Sequence, residues 1–150
     1  METNKQAIKI LNDLLEKNYD AIRGYFEAAE HVRSVLLASF LEENAEIRQG
    51  YAEELIDDIY TLNGEPIEST SLTSNLHRAW VNLKTAITDD KEEAVLEECI
   101  RGEKAALEDY EKALMSESLP TTTLELLEEQ RGQIAATLDE LRSMEEAVDE

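Results

Sequence analysis

The sequence predicts an all-α protein, a four-helix bundle made of two antiparallel helical hairpins joined by a long crossover that contains a short helix. Three observations predict it. Only 5 of 150 residues are Gly and 2 are Pro, while 33% are charged and 42% hydrophobic; such a balance suits helices and short loops. Four long stretches carry apolar residues at alternating steps of three and four, which lines up one buried face on a helix. Two short breaks and one long break separate these stretches, so the first pairs with the second and the third with the fourth. A single domain over residues 1–150 is expected, large enough to bury a core without disulfides or a structural metal.

The first helix is expected over about residues 3–32. Thr3 and Gln6 have capping-box spacing, and Ile8, Leu11, Leu15, Asn18, Ile22, Tyr25, Ala29 and Val32 form the seam. Extended past Leu36, the same phase would bring Ser39, Glu43 and Glu46 into the seam, so the chain must break near Arg33 and Ser34 and restart. A second helix, about 34–63, then carries Leu41, Ala45, Arg48, Ala52, Leu55, Ile59 and Leu62, flanked by Phe40 and Tyr51, and Gly64 is the expected stop before Pro66. Gly64 to Ser71 is the most loop-like segment. Within the crossover, Leu76, Trp80, Leu83 and Ile87 keep helical spacing over about 71–87, so Leu76, His77 and Trp80 are expected to anchor a short amphipathic helix. Asp89, Asp90, Glu92 and Glu93 supply the cap and acidic first turn of a helix over about 89–115, with the seam Leu96, Cys99, Glu103, Ala106, Tyr110 and Ala113. After a turn at Ser116 to Pro120, Thr122 and Glu125 offer a second capping box. The last helix, about 121–147, carries Leu124, Leu127, Arg131, Ile134, Leu138, Leu141 and Val148.

Each seam has one polar residue near its middle: Asn18, Arg48, Glu103 and Arg131. In an antiparallel bundle these fall at similar height, so a polar layer is expected inside the core. Tyr25 and Tyr110 lie seven residues after Asn18 and Glu103, which makes the two hairpins look like internal copies. Glu103 is expected to pair with Arg48, Arg131 or both, with Asn18 completing the hydrogen bonds. Such a pair adds little net stability, but it fixes helix register because leaving one member unpaired costs about 3–5 kcal/mol.

The segments GYFEAAE at Gly24 to Glu30, LHRAWVNLK at Leu76 to Lys84 and ECIRGEKAALEDY at Glu98 to Tyr110 carry a resemblance over nearly the whole chain. It resembles the ferritin-like superfamily, and more closely a bacterial family of ferritin-like four-helix-bundle proteins of unknown function. That resemblance implies a site for two metal ions, with one Glu from each of the first and third helices and a Glu-x-x-His from each of the second and fourth. Carried over by position, only Glu103 matches. Asn18 stands in the first-helix Glu position, Arg48 and Tyr51 replace the second-helix pair, and Arg131 and Ile134 replace the fourth. Divalent ions need several anionic or imidazole ligands, whereas two guanidiniums repel a cation. No cofactor is therefore expected; iron or manganese at a displaced site of Glu103 with Glu46 or Glu98 is the alternative.

A net charge of -21 repels nucleic-acid phosphate and anionic lipid, and leaves cations and basic proteins as electrostatic partners. One cysteine, Cys99, permits no internal disulfide, and its apolar seam marks it as a small core residue. Met1 to Gln6 lacks an apolar run behind basic residues and no window approaches the ~18 apolar residues of a membrane span, so the cytoplasm is the expected compartment. His31 reads as a C-terminal helix cap, His77 as a surface or packing residue, and Tyr25, Tyr51 and Tyr110 as core fillers with bonded hydroxyls. The acidic runs on helix exteriors read as solvated faces. No Ser-His-Asp set, Gly-rich phosphate loop or zinc spacing occurs. Two functions fit these features: a non-enzymatic scaffold or binding module that self-associates as a dimer, and a metal-dependent oxidoreductase or iron-handling protein.

Overall fold

The computed structural model describes residues 2–69 and 92–149. Four α-helices make up these residues: α1 (Glu2–His31), α2 (Val35–Thr61), α3 (Glu92–Leu114) and α4 (Thr121–Asp149). The expected short helix at 71–87, its anchors Leu76, His77 and Trp80, and the Asp89 and Asp90 cap lie outside the described residues. α1 packs along α2 and α3 along α4, giving the two hairpins. Asn18 meets Tyr110 and Gln6 meets Ser118, so α3 ends near the start of α1 and runs antiparallel to it. Tyr51 meets Gln133 while Asp58 meets Thr123, so α4 is antiparallel to α2. α2 and α3 thus run in the same direction, which only a long connection permits.

The break between α1 and α2 resets the phase of the seam. Ser34 has extended backbone (φ -69°, ψ 121°), and its hydroxyl accepts the Leu37 N–H at 3.1 Å. This cap restarts the helix so that Leu37, Leu41, Ala45 and Arg48 face inward. On the last turn of α1, His31 donates from Nδ1 to the Glu27 carbonyl at 2.9 Å. At the far end of α2, Asn63 rather than Gly64 adopts the left-handed conformation, at φ 66°. Asn63 N–H reaches Tyr60 O and Gly64 N–H reaches Ile59 O, each at 2.9 Å, which closes the helix and satisfies its last carbonyls. Gly64 is needed for a different reason. A Cβ there would lie 2.8 Å from three side-chain atoms of Ile8, whose branched side chain has little freedom to yield. The chain then follows α1, held by Asn12, which accepts from Ile67 N–H at 2.9 Å and donates to Glu65 O at 3.1 Å.

Both expected capping boxes fall inside helices. α1 begins at Glu2, ahead of Thr3, and the Gln6 side chain instead accepts from the Ser118 hydroxyl. α4 begins at Thr121, with Leu124 N–H bonded to Pro120 O at 2.9 Å. Thr122 is therefore in the first turn, and Thr123 is the residue that turns inward, donating to Asp58 Oδ2 at 2.6 Å.

Among the described residues, two apolar clusters fill the interior. One gathers Leu11, Leu15, Leu55, Ile59, Leu127 and Ile134 around the connections at one end. The other gathers Ala21, Leu41, Ala45, Leu96, Cys99 and Leu141 toward the α1–α2 turn. Ile8, Ile22, Leu62 and Leu124 pack half-buried on the first cluster, and Val32 and Phe40 on the second. Val148, expected in the α4 seam, is 44% exposed. Between the clusters lie the buried polar side chains Asn18, Arg48 and Glu103.

Candidate functional site: a buried polar layer

Each of three helices contributes one mid-length side chain to a single point. Arg48 on α2 is among the largest fully buried side chains of the described residues. Its Nη2 donates to Glu103 Oε1 of α3, a salt bridge with 2% and 1% of the two side chains exposed, and its Nη1 donates to Asn18 Oδ1 of α1 at 2.7 Å. The guanidinium carbon stands 5.8 Å from the Tyr51 ring centroid, within cation–π range. Asn18 is satisfied on both sides of its amide. Its Nδ2 donates to Leu14 O at 2.8 Å, one turn back, and to the Tyr110 hydroxyl at 2.9 Å.

The network continues into α4. Tyr110 donates to Gln130 Oε1 at 2.5 Å, Gln130 Nε2 donates to Glu54 Oε1 at 3.0 Å, and the Tyr51 hydroxyl donates to Gln133 Oε1. The path therefore runs from a buried carboxylate, Glu103, through all four helices to an exposed one, Glu54. It opens at a cleft of about 370 Å³ between α2 and α4, which Tyr51, Glu54, Gln130 and Gln133 help to line. Two of its links are amides and one is an arginine, none of which releases a proton near neutrality. This arrangement holds positions; it does not relay protons.

Burial sets the protonation states. Burial alone would weaken the charged form of Arg48, but the Glu103 charge and hydrogen bond more than restore it, and its pKa ends above the usual value. Burial raises the Tyr25 phenol well above its ordinary range, and the nearby Glu103 carboxylate raises it further. Burial also raises Tyr51, and it pushes Tyr110 up to about 12. The Cys99 thiol is raised by burial and by Glu103 beside it, so it is no thiolate nucleophile. Within this layer, one positive and one negative charge face each other among neutral phenols and amides.

Arg131 does not belong to this layer. Its side chain is 28% exposed and donates to Glu128 on its own helix, with Nη2 to Oε1 at 2.6 Å. The α4 seam runs through Thr123, Leu127, Gln130, Ile134, Leu138 and Leu141. Steps of three then four through Gln130 satisfy helical spacing as well as four then three through Arg131. A neutral amide with partners at both ends takes the buried place, and the long cation reaches water. The missed signal was the pair Gln130 and Gln133, which repeats on α4 the three-residue spacing of Arg48 and Tyr51 on α2. Ile134 is an apolar core residue.

The donor set does not fit a pair of metal ions. Asn18 Oδ1 and Glu103 Oε1 are both occupied by Arg48, and the two glutamine oxygens accept from tyrosines. Glu46 points into solvent and Glu98 is bound by Arg101 one turn away, so neither joins Glu103 in the proposed displaced site. Among the described residues, no group of three or more His, Cys, Asp or Glu side chains is placed to hold a metal ion.

Residues 6–116 match a family model described as Domain of unknown function (DUF2383), and the chain belongs to that family. A solved structure of a Mycobacterium smegmatis Dps1 mutant is similar in fold, with a TM-score of 0.78 at 18% identity, over 95% of this chain and 97% of that one. No curated protein matches. The described residues thus form an all-α, four-helix fold similar to that of the Dps1 structure. No helix among the described residues is long and apolar enough to cross a membrane.

The raised phenols give a test of the layer. Raised folded-state values favour the neutral form, so the stability they contribute is present below about pH 10, the ordinary phenol value, and is lost as pH rises through the folded values. In an ultraviolet titration, three of the five tyrosines, Tyr25, Tyr51 and Tyr110, should stay protonated until the helical circular dichroism collapses. If all five ionise in one reversible step near pH 10 with the helices intact, these hydroxyls are not buried in the network.

Proposed function

We propose that the protein is a non-enzymatic helical scaffold or binding module, a ferritin-like bundle in which an ion pair between helices replaces the metal ligands. The observation that carries this reading is the Arg48 guanidinium seated on Glu103 and Asn18. Two of the four helix positions to which the superfamily resemblance assigns ligands are thereby joined to a fixed positive charge. A divalent ion entering there would meet a guanidinium that cannot lose its proton. Against an oxidoreductase or iron-handling role stands the dispersal of Glu46, Glu98 and Glu103 described above. The expected result is far less than one equivalent of iron or manganese per chain, measured by elemental analysis of desalted protein from cells grown with both metals. One to two tightly held equivalents would overturn the reading.

The assembly we favour is a homodimer. Its support is the outer face of the α1–α2 hairpin, where Phe26 is 36% exposed beside half-buried Ile22 and Ile56 in a groove of about 630 Å³. Arg23 on the rim of that groove lies among Glu27, Glu30 and Glu53, so it is the cation a two-fold axis could set against a carboxylate of the second copy. Size-exclusion chromatography with light scattering should give twice the chain mass, and Phe26→Glu should give the monomer. A wild-type monomer at all concentrations, or a dimer indifferent to Phe26→Glu, would contradict this assembly.

A further inference from the structure

We propose that the Asn18–Glu103 layer is a cation site whose resident cation is the chain's own Arg48 guanidinium, and that without this side chain the layer takes up a small cation from solution. The inference rests on the metal-free reading above and extends it to what the layer selects. Three kinds of cation acceptor converge on one point from separate directions. Glu103 brings a carboxylate from α3, Asn18 brings an amide oxygen 2.7 Å from Nη1, and Tyr51 brings a ring face 5.8 Å from the guanidinium carbon. The hydroxyl and amide groups behind them, on Tyr25, Tyr110 and Gln130, are neutral and buried. Arg48 is therefore the positive charge that balances Glu103 in this layer.

The consequence of removing it follows from burial. Arg48 is among the largest fully buried side chains, so truncation to Ala opens a cavity lined by those acceptors, and a polar cavity of that size fills with solvent species. A buried carboxylate left without a counter-charge carries a desolvation penalty that a bound cation relieves. Free guanidinium has the charge and the planar donors that the vacated place selects. A second route is to supply another carboxylate. Arg48→Glu sets two carboxylates and the Asn18 oxygen around the same point, an all-oxygen set suited to a hard divalent ion such as Mn²⁺.

The experiment is a thermal melt of wild type and Arg48→Ala in low-millimolar guanidinium chloride, each matched by sodium chloride at equal concentration. Arg48→Ala should melt below wild type in sodium chloride. Guanidinium should raise its midpoint saturably, by about 4 °C once it reaches ten times its Kd, and leave wild type unmoved. The proposal is overturned if guanidinium raises the Arg48→Ala midpoint no more than sodium chloride does. Should Arg48→Ala not fold in either salt, Arg48→Glu decides: it should gain helix and bind one Mn²⁺ per chain by calorimetry, and no gain overturns the proposal. Stoichiometric Mn²⁺ in the wild type would instead sink the metal-free reading, whatever the guanidinium result.

Discussion

The contact on which the bundle's arrangement depends is the salt bridge between Arg48 and Glu103. Apolar seams tell helices which face to bury and say little about how far one helix slides along another, because a Leu one turn away packs almost as well. A buried guanidinium with one carboxylate partner has no such freedom. Sliding α2 against α3 by one turn would separate the pair and leave two uncompensated charges in the core, a far larger penalty than a repacked Leu. Asn18 and Tyr110 extend the constraint to α1, and Gln130 extends it to α4. The polar layer is thus a registration mark shared by all four helices.

The turns are built to deliver the helices to that mark. Ser34 resets the seam by capping α2 where the α1 phase would have exposed it, which is why Arg48 faces inward at the height of Asn18. Asn63 and Gly64 end α2 tightly against Ile8, and Asn12 then holds the outgoing chain along α1. On either side of the layer the two apolar clusters supply the bulk of the burial. The site has cation-holding geometry with its cation built into the chain, and this joins the fold to the functional reading.

Much of this was legible in the sequence because helical spacing and charge act locally. The seams of α1, α2 and α3, the break before Ser34 and the placement of Asn18, Arg48 and Glu103 all follow from steps of three and four along one chain. The α4 register was not legible, since Gln130 and Arg131 fit those steps equally well and the choice depends on partners from other helices: Tyr110 and Glu54 receive the glutamine, while Glu128 draws the arginine outward. Internal symmetry with Arg48 favoured the wrong one. The capping residues misled for a related reason. Thr3 and Thr122 have the right spacing to Gln6 and Glu125, but Gln6 is engaged by Ser118 and the start of α4 is set at Pro120. The asymmetry at Asn63 and Gly64 also lay beyond the sequence, because it takes Ile8, 56 positions away, to require the glycine.

The most direct test of this account compares urea unfolding of wild type, Glu103→Leu and the double variant Glu103→Leu, Arg48→Met. Glu103→Leu strands a buried guanidinium that cannot neutralise itself, and the expected loss is about 3–5 kcal/mol. Removing the arginine as well should recover most of that loss, short of complete recovery because Asn18 Oδ1 gives up its donor. A Glu103→Leu variant as stable as wild type, or a double variant no more stable than the single, would contradict the claim that this ion pair governs the register of the bundle.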